Sequence, residues 1–598
     1  MHPLPHGNDG MPDRAAAGGR LSFGAGARRP WRLRLARASL VAAWAATAVF
    51  AQDAEVAHPG ADGAAAVRVQ AYSSGGCTEG CGLGWVRFEV QAVDARAHEV
   101  ALQVSSPLFR SGAVESRRNL SLAVGGTATC YVPLPVPPST GLIRVTVDGA
   151  EYVESVNYRR GRGPVGLLIT DVAGVGPSAA SVLAAMPVEA PGRPPQLVAV
   201  DSDGVPADWR LYTTFSVVLV DGRAALGADV QTALRRYAFA GGRVVVATPR
   251  ALPRGALWQA TAELFGVRAL GLGQVAAVGA LDGAPARLES ALAGMRPLDR
   301  GLWPSPPAMF AEQEIAALGE PPVTVFLAII LLFAVLAGPV NFRWLRRRKR
   351  PMLALLTVPA LGVTTTVVIL SYGVWHDGLG VRGVQRSWTL LDQVDGEGAT
   401  VVARTLFAGL SSTDLQLGDG ALLLSERASR DGPEVADSWR LDADAGTLEG
   451  GVLPSRTITP LLGAQQGPIR ERVALRRSGD LLEASSDDGV RLIGRSVVCD
   501  LDGAYWSGID GLFSRVDAAE GARLFAALWR DAHAFRIGQS AEASSRPSLA
   551  VLPVWGAPGT YAGRVDAAPW VNQHGLRVDY DAQQHWVFGR LAPEDFVK

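Results

Sequence analysis

The sequence predicts a multidomain chain: a β-sandwich, a doubly wound α/β domain, two transmembrane helices and a C-terminal, mostly β domain. Three observations carry this. Two uncharged apolar runs, 323–342 and 352–375, are each long enough to cross a bilayer, and the loop between them holds six cations in eight residues. Four continuous apolar runs between residues 165 and 247 alternate with helical segments, as buried parallel strands do. On either side of these blocks, short runs alternate apolar and polar residues with a period of two.

Composition sets the frame. The chain has 598 residues, 48% hydrophobic and 19% charged, enough apolar surface for several folded domains. Its 57 basic and 57 acidic side chains cancel, which argues against nucleic acid as a partner because a phosphate backbone needs a basic footprint. Four cysteines, Cys77, Cys81, Cys130 and Cys499, lack the paired Cys-x-x-Cys spacing of a structural zinc site, and no metal or other cofactor is expected.

Residues 1–51 form a leader. Arg28, Arg29, Arg32, Arg34 and Arg37 precede a short apolar run that ends Val49-Phe50-Ala51, the pattern of a secretory signal peptide cleaved after Ala51 or retained as an anchor. Residues 52–160 read as an immunoglobulin-like β-sandwich from the alternating runs 67–72, 86–93, 100–104 and 142–147. Within it, Cys77 and Cys81 either close a small disulfide in an oxidising compartment or stay as buried thiols, while Cys130, like Cys499, lies in a core-like run.

Residues 161–320 read as the α/β domain. Its strands are placed at 165–170, 196–200, 216–220 and 243–247, and its helices at 177–186 and 229–240, the second ending at Gly241-Gly242. Residues 323–342 and 352–375 are the membrane spans, and neither carries an ionisable side chain, so a proton or ion pathway lacks its usual groups. The connecting segment 343–351 contains Arg343, Arg346, Arg347, Arg348, Lys349 and Arg350. Such cations stay cytoplasmic, so 52–320 and 376–598 are both expected outside the cytoplasm, in the periplasm of a bacterial inner membrane. The last portion, 376–598, reads as one or two β-sandwich units punctuated by a helix over 517–535.

Candidate ligand groups cluster in the α/β block. Asp171, Asp201 and Asp221 each follow a strand directly, and the carboxyl edge of a parallel sheet is where ligands bind; Gly174 and Gly176 sit in the loop after the first strand. Three convergent acids would hold Mg²⁺ and support hydrolysis, whereas acids starting turns or capping helices are structural. In the C-terminal portion, His533, His574 and His585 lack metal-ligand spacing, and Tyr505, Trp506, Trp555, Trp570 and Trp586 are either core aromatics or glycan-stacking faces.

The stretches 205–220 and 233–247 resemble the class I glutamine amidotransferase-like domain, which has a flavodoxin/amidotransferase-like doubly wound sheet. The form they are similar to occurs in bacterial membrane proteins whose paired spanning helices are joined by Gly-Pro-x-Asn and a basic loop, here Gly338-Pro-Val-Asn341 and 343–350. The resemblance implies association with MoxR-type ATPases and von Willebrand A-domain membrane proteins. It also implies a nucleophilic Cys at the turn after residue 247, where this chain has Thr248. No His occurs between 99 and 375, so the domain lacks a base for Thr248 and is expected to bind rather than catalyse. The expected function is a membrane-anchored cell-envelope binding or scaffold protein, with a metal-dependent envelope hydrolase as the alternative.

Overall fold

The computed structural model describes residues 54–59, 65–73, 82–108, 112–135, 140–157, 164–188, 195–247, 266–279, 285–292, 294–298, 323–410, 412–418, 420–425, 439–485, 490–537 and 557–597. The leader, Cys77, Cys81, Thr248 and Trp555 lie outside the described residues. The protein is multidomain and strand-rich, with two long apolar helices.

Strands β1 (Ala54–Pro59), β2 (Ala65–Ser73), β3 (Leu83–Ala92), β4 (His98–Leu108), β5 (Gly112–Leu122), β6 (Thr127–Pro135), β7 (Thr140–Val147) and β8 (Ala150–Asn157) build the first module. One sheet runs β1-β2-β3-β6; β5-β4-β7-β8 form the other. Because side chains alternate along a strand, Val67, Val69, Phe88 and Val90 of one sheet meet Leu102, Val104, Ile143 and Val145 of the other in a single apolar layer. This is the sandwich that the period-two pattern anticipates.

The α/β block has β9 (Val165–Ile169), β10 (Gln196–Val200), β11 (Val217–Asp221), β12 (Arg243–Ala247), β13 (Gly266–Leu270) and β14 (Gly273–Val278). They pair in the order β10-β9-β11-β12-β14-β13, all parallel except the edge hairpin of β13 with β14. Helices α1 (Gly176–Ala185) and α3 (Pro285–Leu292) cover one face through Val182, Leu183, Leu288 and Leu292. Helix α2 (Ala228–Phe239) covers the other through Leu234, Tyr237 and Ala238. Burial on both faces is why the strands read as continuous apolar runs. At the end of α2, Gly241 takes φ +123°, Gly242 N–H donates to Tyr237 O and Gly241 N–H to Ala238 O, a Schellman cap that uses the glycine pair.

The apolar runs are helical. Helix α4 (Val323–Val335) passes through a π-turn (Leu336–Val340) into α5 (Asn341–Arg347), and α6 (Ala354–Asp377) follows a 3₁₀ turn (Pro351–Leu353). Pro339 lacks an N–H and its ring collides with the preceding turn, so the helix widens there instead of continuing. The widened turn leads into Asn341, whose Nδ2 donates to Thr357 Oγ1 at 2.8 Å, while Phe326 and Tyr372 meet edge to face at 6.2 Å. The hairpin is thus tied near both ends. Among the described residues neither apolar helix has a buried face, and the aliphatic side chains of α4 and α6 are exposed or half-buried.

After Asp377, only residues 378–380 intervene before β15 (Val381–Asp392). There follow β16 (Glu397–Ala408), β17 (Ser412–Gln416), β18 (Ala421–Ser425), β19 (Trp439–Asp442), β20 (Thr447–Leu453), β21 (Ile458–Pro468), β22 (Ala474–Ser478), β23 (Leu481–Ser485), β24 (Leu492–Cys499), β25 (Tyr505–Ile509), β26 (Leu512–Val516), helix α7 (Ala518–Ile537), β27 (Thr560–Val565), β28 (Val578–Arg590) and β29 (Phe596–Val597). Twelve of these strands form one sheet, in the order β18-β21-β16-β15-β28-β27-β24-β25-β26-β23-β22-β29. A twisted sheet that wide curls. The β22–β29 end returns to the middle of the sheet through Gln393, which accepts from Val473 N–H and Tyr561 Oη and donates to Asp595 Oδ2, around a core of Trp506, Phe513 and Tyr561. The expected one or two sandwiches are therefore a single curled sheet.

The remaining three strands leave that sheet altogether. β19 pairs in parallel with β5, extending the second sheet of the first module to β17-β20-β19-β5-β4-β7-β8. The chain segments on either side of the helical hairpin thus share a β-sheet. They also share a core, in which Trp85, Trp209, Tyr212, Phe215, Trp388 and Leu422 belong to one cluster.

Candidate functional site

The carboxyl edge of the parallel sheet is built by β9 and its neighbours. Asp171, exposed in the turn after β9, accepts from Ser202 N–H at 2.7 Å with Oδ1 and from Ala225 N–H at 2.9 Å with Oδ2. Ser202 follows β10 and Ala225 follows β11, so one carboxylate on the central strand clamps the loops of the strands on both sides. Burial pushes the Asp171 pKa up, but the two amides outweigh it and hold it below the usual 3.8.

Asp221, at the end of β11, is only 1% exposed. Its Oδ2 accepts from Thr170 Oγ1 at 2.9 Å and Arg223 Nη2 at 2.8 Å, and its Oδ1 accepts from Arg223 Nε at 3.0 Å. Burial again works upward and the Arg223 and Thr170 bonds bring its pKa below the ordinary value. Asp201 is exposed and starts the 3₁₀ turn 202–204 without a side-chain cap bond. Gly174 takes φ +84°, which an L side chain resists, and Gly176 opens α1 behind Val175. Two of the three acids are thus occupied as internal acceptors. Among the described residues no group of three His, Cys, Asp or Glu side chains is placed to hold a metal ion, which leaves the hydrolase alternative without a ligand set there.

A second candidate lies where three parts of the chain meet. The segment 209–214, a 3₁₀ turn between β10 and β11, is their keystone. Its Thr213 Oγ1 accepts from Leu83 N–H at 2.9 Å, Tyr212 and Phe215 pack edge to face on Trp85, and Arg210 Nη1 donates to Ala421 O at 3.1 Å. A side chain at Gly82 would sit 2.6 Å from Thr213 O, so only glycine permits that approach. Beside the keystone is a cavity of about 440 Å³ with aliphatic walls that include Leu83, Leu211, Leu422 and Leu448. That volume lies in the ~300–1,000 Å³ range of small-molecule pockets.

Its charged lining is internally balanced. Arg210 is held bidentate by Asp208, Arg118 donates to Tyr131 O at 3.0 Å and faces Asp444 at 3.4 Å, and Asp442 accepts from Asp444 and Ala445 N–H. Cys130 also lines the cavity; burial pushes its thiol up to about 11, so it does not supply a thiolate at neutral pH. Chemically, the cavity offers polar and apolar surface in about equal measure, its charged side chains paired with one another.

One nucleophile and base pair escaped the sequence reading. Ser387 Oγ on β15 lies 2.6 Å from His585 Nδ1 on β28, and His585 Nε2 is 3.0 Å from Gln583 Oε1. Both Ser387 and His585 are buried in the sheet, at 0% and 2% exposure, which denies a substrate access. Burial first, then the Arg404 guanidinium, bring the His585 pKa down to about 4. His574 is likewise buried and lowered to about 4, and Trp506 and Trp570 are buried in the core of the curled sheet rather than set out as stacking faces. The His533 side chain lies outside the described set. No sequence signal marks Ser387 and His585, because their strands are 198 residues apart and pair only through the tertiary fold.

The basic turn keeps Arg343, Arg346, Arg347, Arg348, Lys349 and Arg350 exposed. No protein-family profile and no curated protein matches this chain. Among solved structures, it has a likeness to a carbohydrate acetylesterase from Xanthomonas citri, at 10% identity over 72% of this chain and 93% of that one, with a TM-score of 0.17. At that score the likeness carries no argument about fold or activity.

Proposed function

We propose that this chain is a membrane-anchored binding and scaffold protein of the bacterial cell envelope. Its α/β block is read as a doubly wound, amidotransferase-like domain that has lost catalysis. The helical hairpin crosses the inner membrane, its basic turn is cytoplasmic, and both large portions lie on the periplasmic side. The observation that carries this reading is the pairing of β19 with β5. Strands that share a sheet occupy one compartment, and two spans return the chain to the side it left. The six cations then assign the turn to the cytoplasm.

Loss of catalysis is supported by chemistry. The α/β block has no His, Thr248 replaces the nucleophilic Cys, and Asp171 and Asp221 are engaged by backbone and Arg223. The junction cavity is the binding site this reading favours: its paired charges and mixed polar and apolar walls suit a ligand or partner segment without net charge that carries both aliphatic and hydrogen-bonding groups. By analogy with the resembling membrane proteins, MoxR-type ATPases and von Willebrand A-domain proteins are the partners to seek.

The test is labelling of single introduced cysteines with a membrane-impermeant maleimide. Val153→Cys and Leu512→Cys, both at exposed positions, are expected to react in intact spheroplasts, and Arg347→Cys only in inverted vesicles. Labelling of positions 153 and 512 from opposite sides would overturn the layout. Purified protein is expected to release no ammonia from glutamine.

A further inference from the structure

We propose that the turn between the two apolar helices is a binding surface for the phosphate headgroups of anionic phospholipids. This rests on the membrane-spanning reading of α4 to α6. The backbone of the turn is closed tightly: Arg348 N–H donates to Trp344 O, Lys349 to Arg346 O, Arg350 to Leu345 O, and Leu353 to Arg350 O. Lys349 reverses the chain at φ +53°, and the next helical turn begins at Pro351. A turn this short holds its cations at the ends of the spanning helices, which is the headgroup layer, and gives them no reach into the cytosol.

Among the described residues those cations have no internal counter-ion. No Asp or Glu occurs between residues 321 and 376, and among the described residues none of the six forms an ion pair with a carboxylate. Five of the six are Arg, whose planar guanidinium takes a phosphate bidentately, where Lys offers only a point charge. Trp344 and Phe342 are exposed beside them at 45% and 67%, the aromatic character of an interfacial segment. The Arg348 guanidinium lies 5.0 Å from the centre of the Trp344 ring, so the aromatic that seats in the interface also orients a cation toward it. A charged surface with an adjacent interfacial aromatic, at the depth of the headgroups, fits a lipid phosphate rather than a soluble protein.

The experiment is native mass spectrometry of the full-length protein in neutral detergent, titrated with phosphatidylglycerol, with phosphatidylcholine and with inorganic phosphate. The wild type is expected to take up phosphatidylglycerol in preference to phosphatidylcholine, with inorganic phosphate failing to displace it. The R346Q/R347Q/R348Q/R350Q variant is expected to weaken phosphatidylglycerol binding by about tenfold or more. The same four positions changed to Lys keep the topology signal and are expected to fall between the two. Equal uptake of both lipids by the wild type, full displacement by inorganic phosphate, or Lys and Gln variants that bind like the wild type would each overturn the proposal. Alkaline carbonate extraction of native membranes separates the two readings. A chain released by carbonate defeats the membrane anchor itself, whereas a retained chain without lipid preference defeats only the headgroup surface.

Discussion

Trp209 offers the sharpest probe of how the three parts of the chain depend on one another. It is 2% exposed, in one apolar cluster with Leu83 and Trp85 of the sandwich and with Leu422 and Leu424 of the C-terminal portion. A methyl group added at Gly420 would sit 3.9 Å from its indole nitrogen. Truncation to Ala at such a site costs about 3–5 kcal/mol, from lost burial and the cavity left behind. Because ~1.4 kcal/mol corresponds to a tenfold change in an opening equilibrium, amide exchange through that opening should accelerate by roughly two to three orders of magnitude. The indole N–H finds no hydrogen-bond partner among the described residues. Trp209→Phe therefore keeps most of the ring while removing an unpaired donor worth ~1–3 kcal/mol, and the two effects oppose each other.

Hydrogen exchange read by mass spectrometry on the full-length protein measures this. Trp209→Ala should accelerate exchange in peptides from β3, from 205–215 and from β18 together, and Trp209→Phe should leave all three near wild type. Acceleration confined to 205–215, with β3 and β18 still protected, would refute the claim that the segment is a shared keystone.

Three further outcomes are expected. His98 is clamped by Asp148 at Nδ1 and Asp94 at Nε2, both at 2.6 Å, and the Asp148 bond foremost raises its pKa above 6.5. The stability it adds to the sandwich is fully present below 6.5 and is lost as pH rises through the raised folded value, so thermal unfolding should show that loss in wild type and not in His98→Gln. In the hairpin, Asn341→Leu and Thr357→Val each remove the same interhelical bond, worth ~0.6–1.7 kcal/mol in a bilayer, so their effects on hairpin stability should be non-additive in a double-mutant cycle. At the sheet edge, Asp171→Ala removes two hydrogen bonds whose amides can turn to water, each worth ~0.5–1.5 kcal/mol, and exchange should quicken in 201–204 and 222–226 with no response to added Mg²⁺ in either protein.

Much of the fold is legible in the sequence for a physical reason: local pattern is visible where one segment alone decides its own burial. Strands β9, β11 and β12 are buried on both faces and the edge strand β10 is half-buried, so continuous apolar runs mark all four almost to the residue, and the glycine pair after α2 marks the cap that ends it. The edge hairpin of β13 and β14 and the curl of the C-terminal sheet are not marked, because edge pairing and curvature depend on neighbours distant in the chain. The acids at the strand ends illustrate the limit most clearly. An Asp after a strand reads equally as a ligand or as a clamp, and only the positions of Ser202 and Ala225 make Asp171 a clamp. The junction cavity was invisible for the same reason, since its walls come from segments more than 300 residues apart, Leu83 and Leu422 among them.

If the two apolar helices span a membrane as proposed, the pairing of β19 with β5 ties their insertion to folding. Val114 of β5 pairs with Trp439, which lies beyond both apolar helices in the chain. Until that pairing forms, β5 is an edge strand with unpaired backbone groups, the feature that invites wrong partners. On the membrane-spanning reading, a chain whose second apolar helix failed to cross would leave β19 on the other side of the membrane from β5 and that edge open. The sheet of the first module would then be completed only once both apolar helices have crossed. The four-residue ladder is blind to which way the hairpin points, because two spans return the chain to the side it left; on that reading it requires both helices to cross, and the six cations of the turn alone bear on orientation.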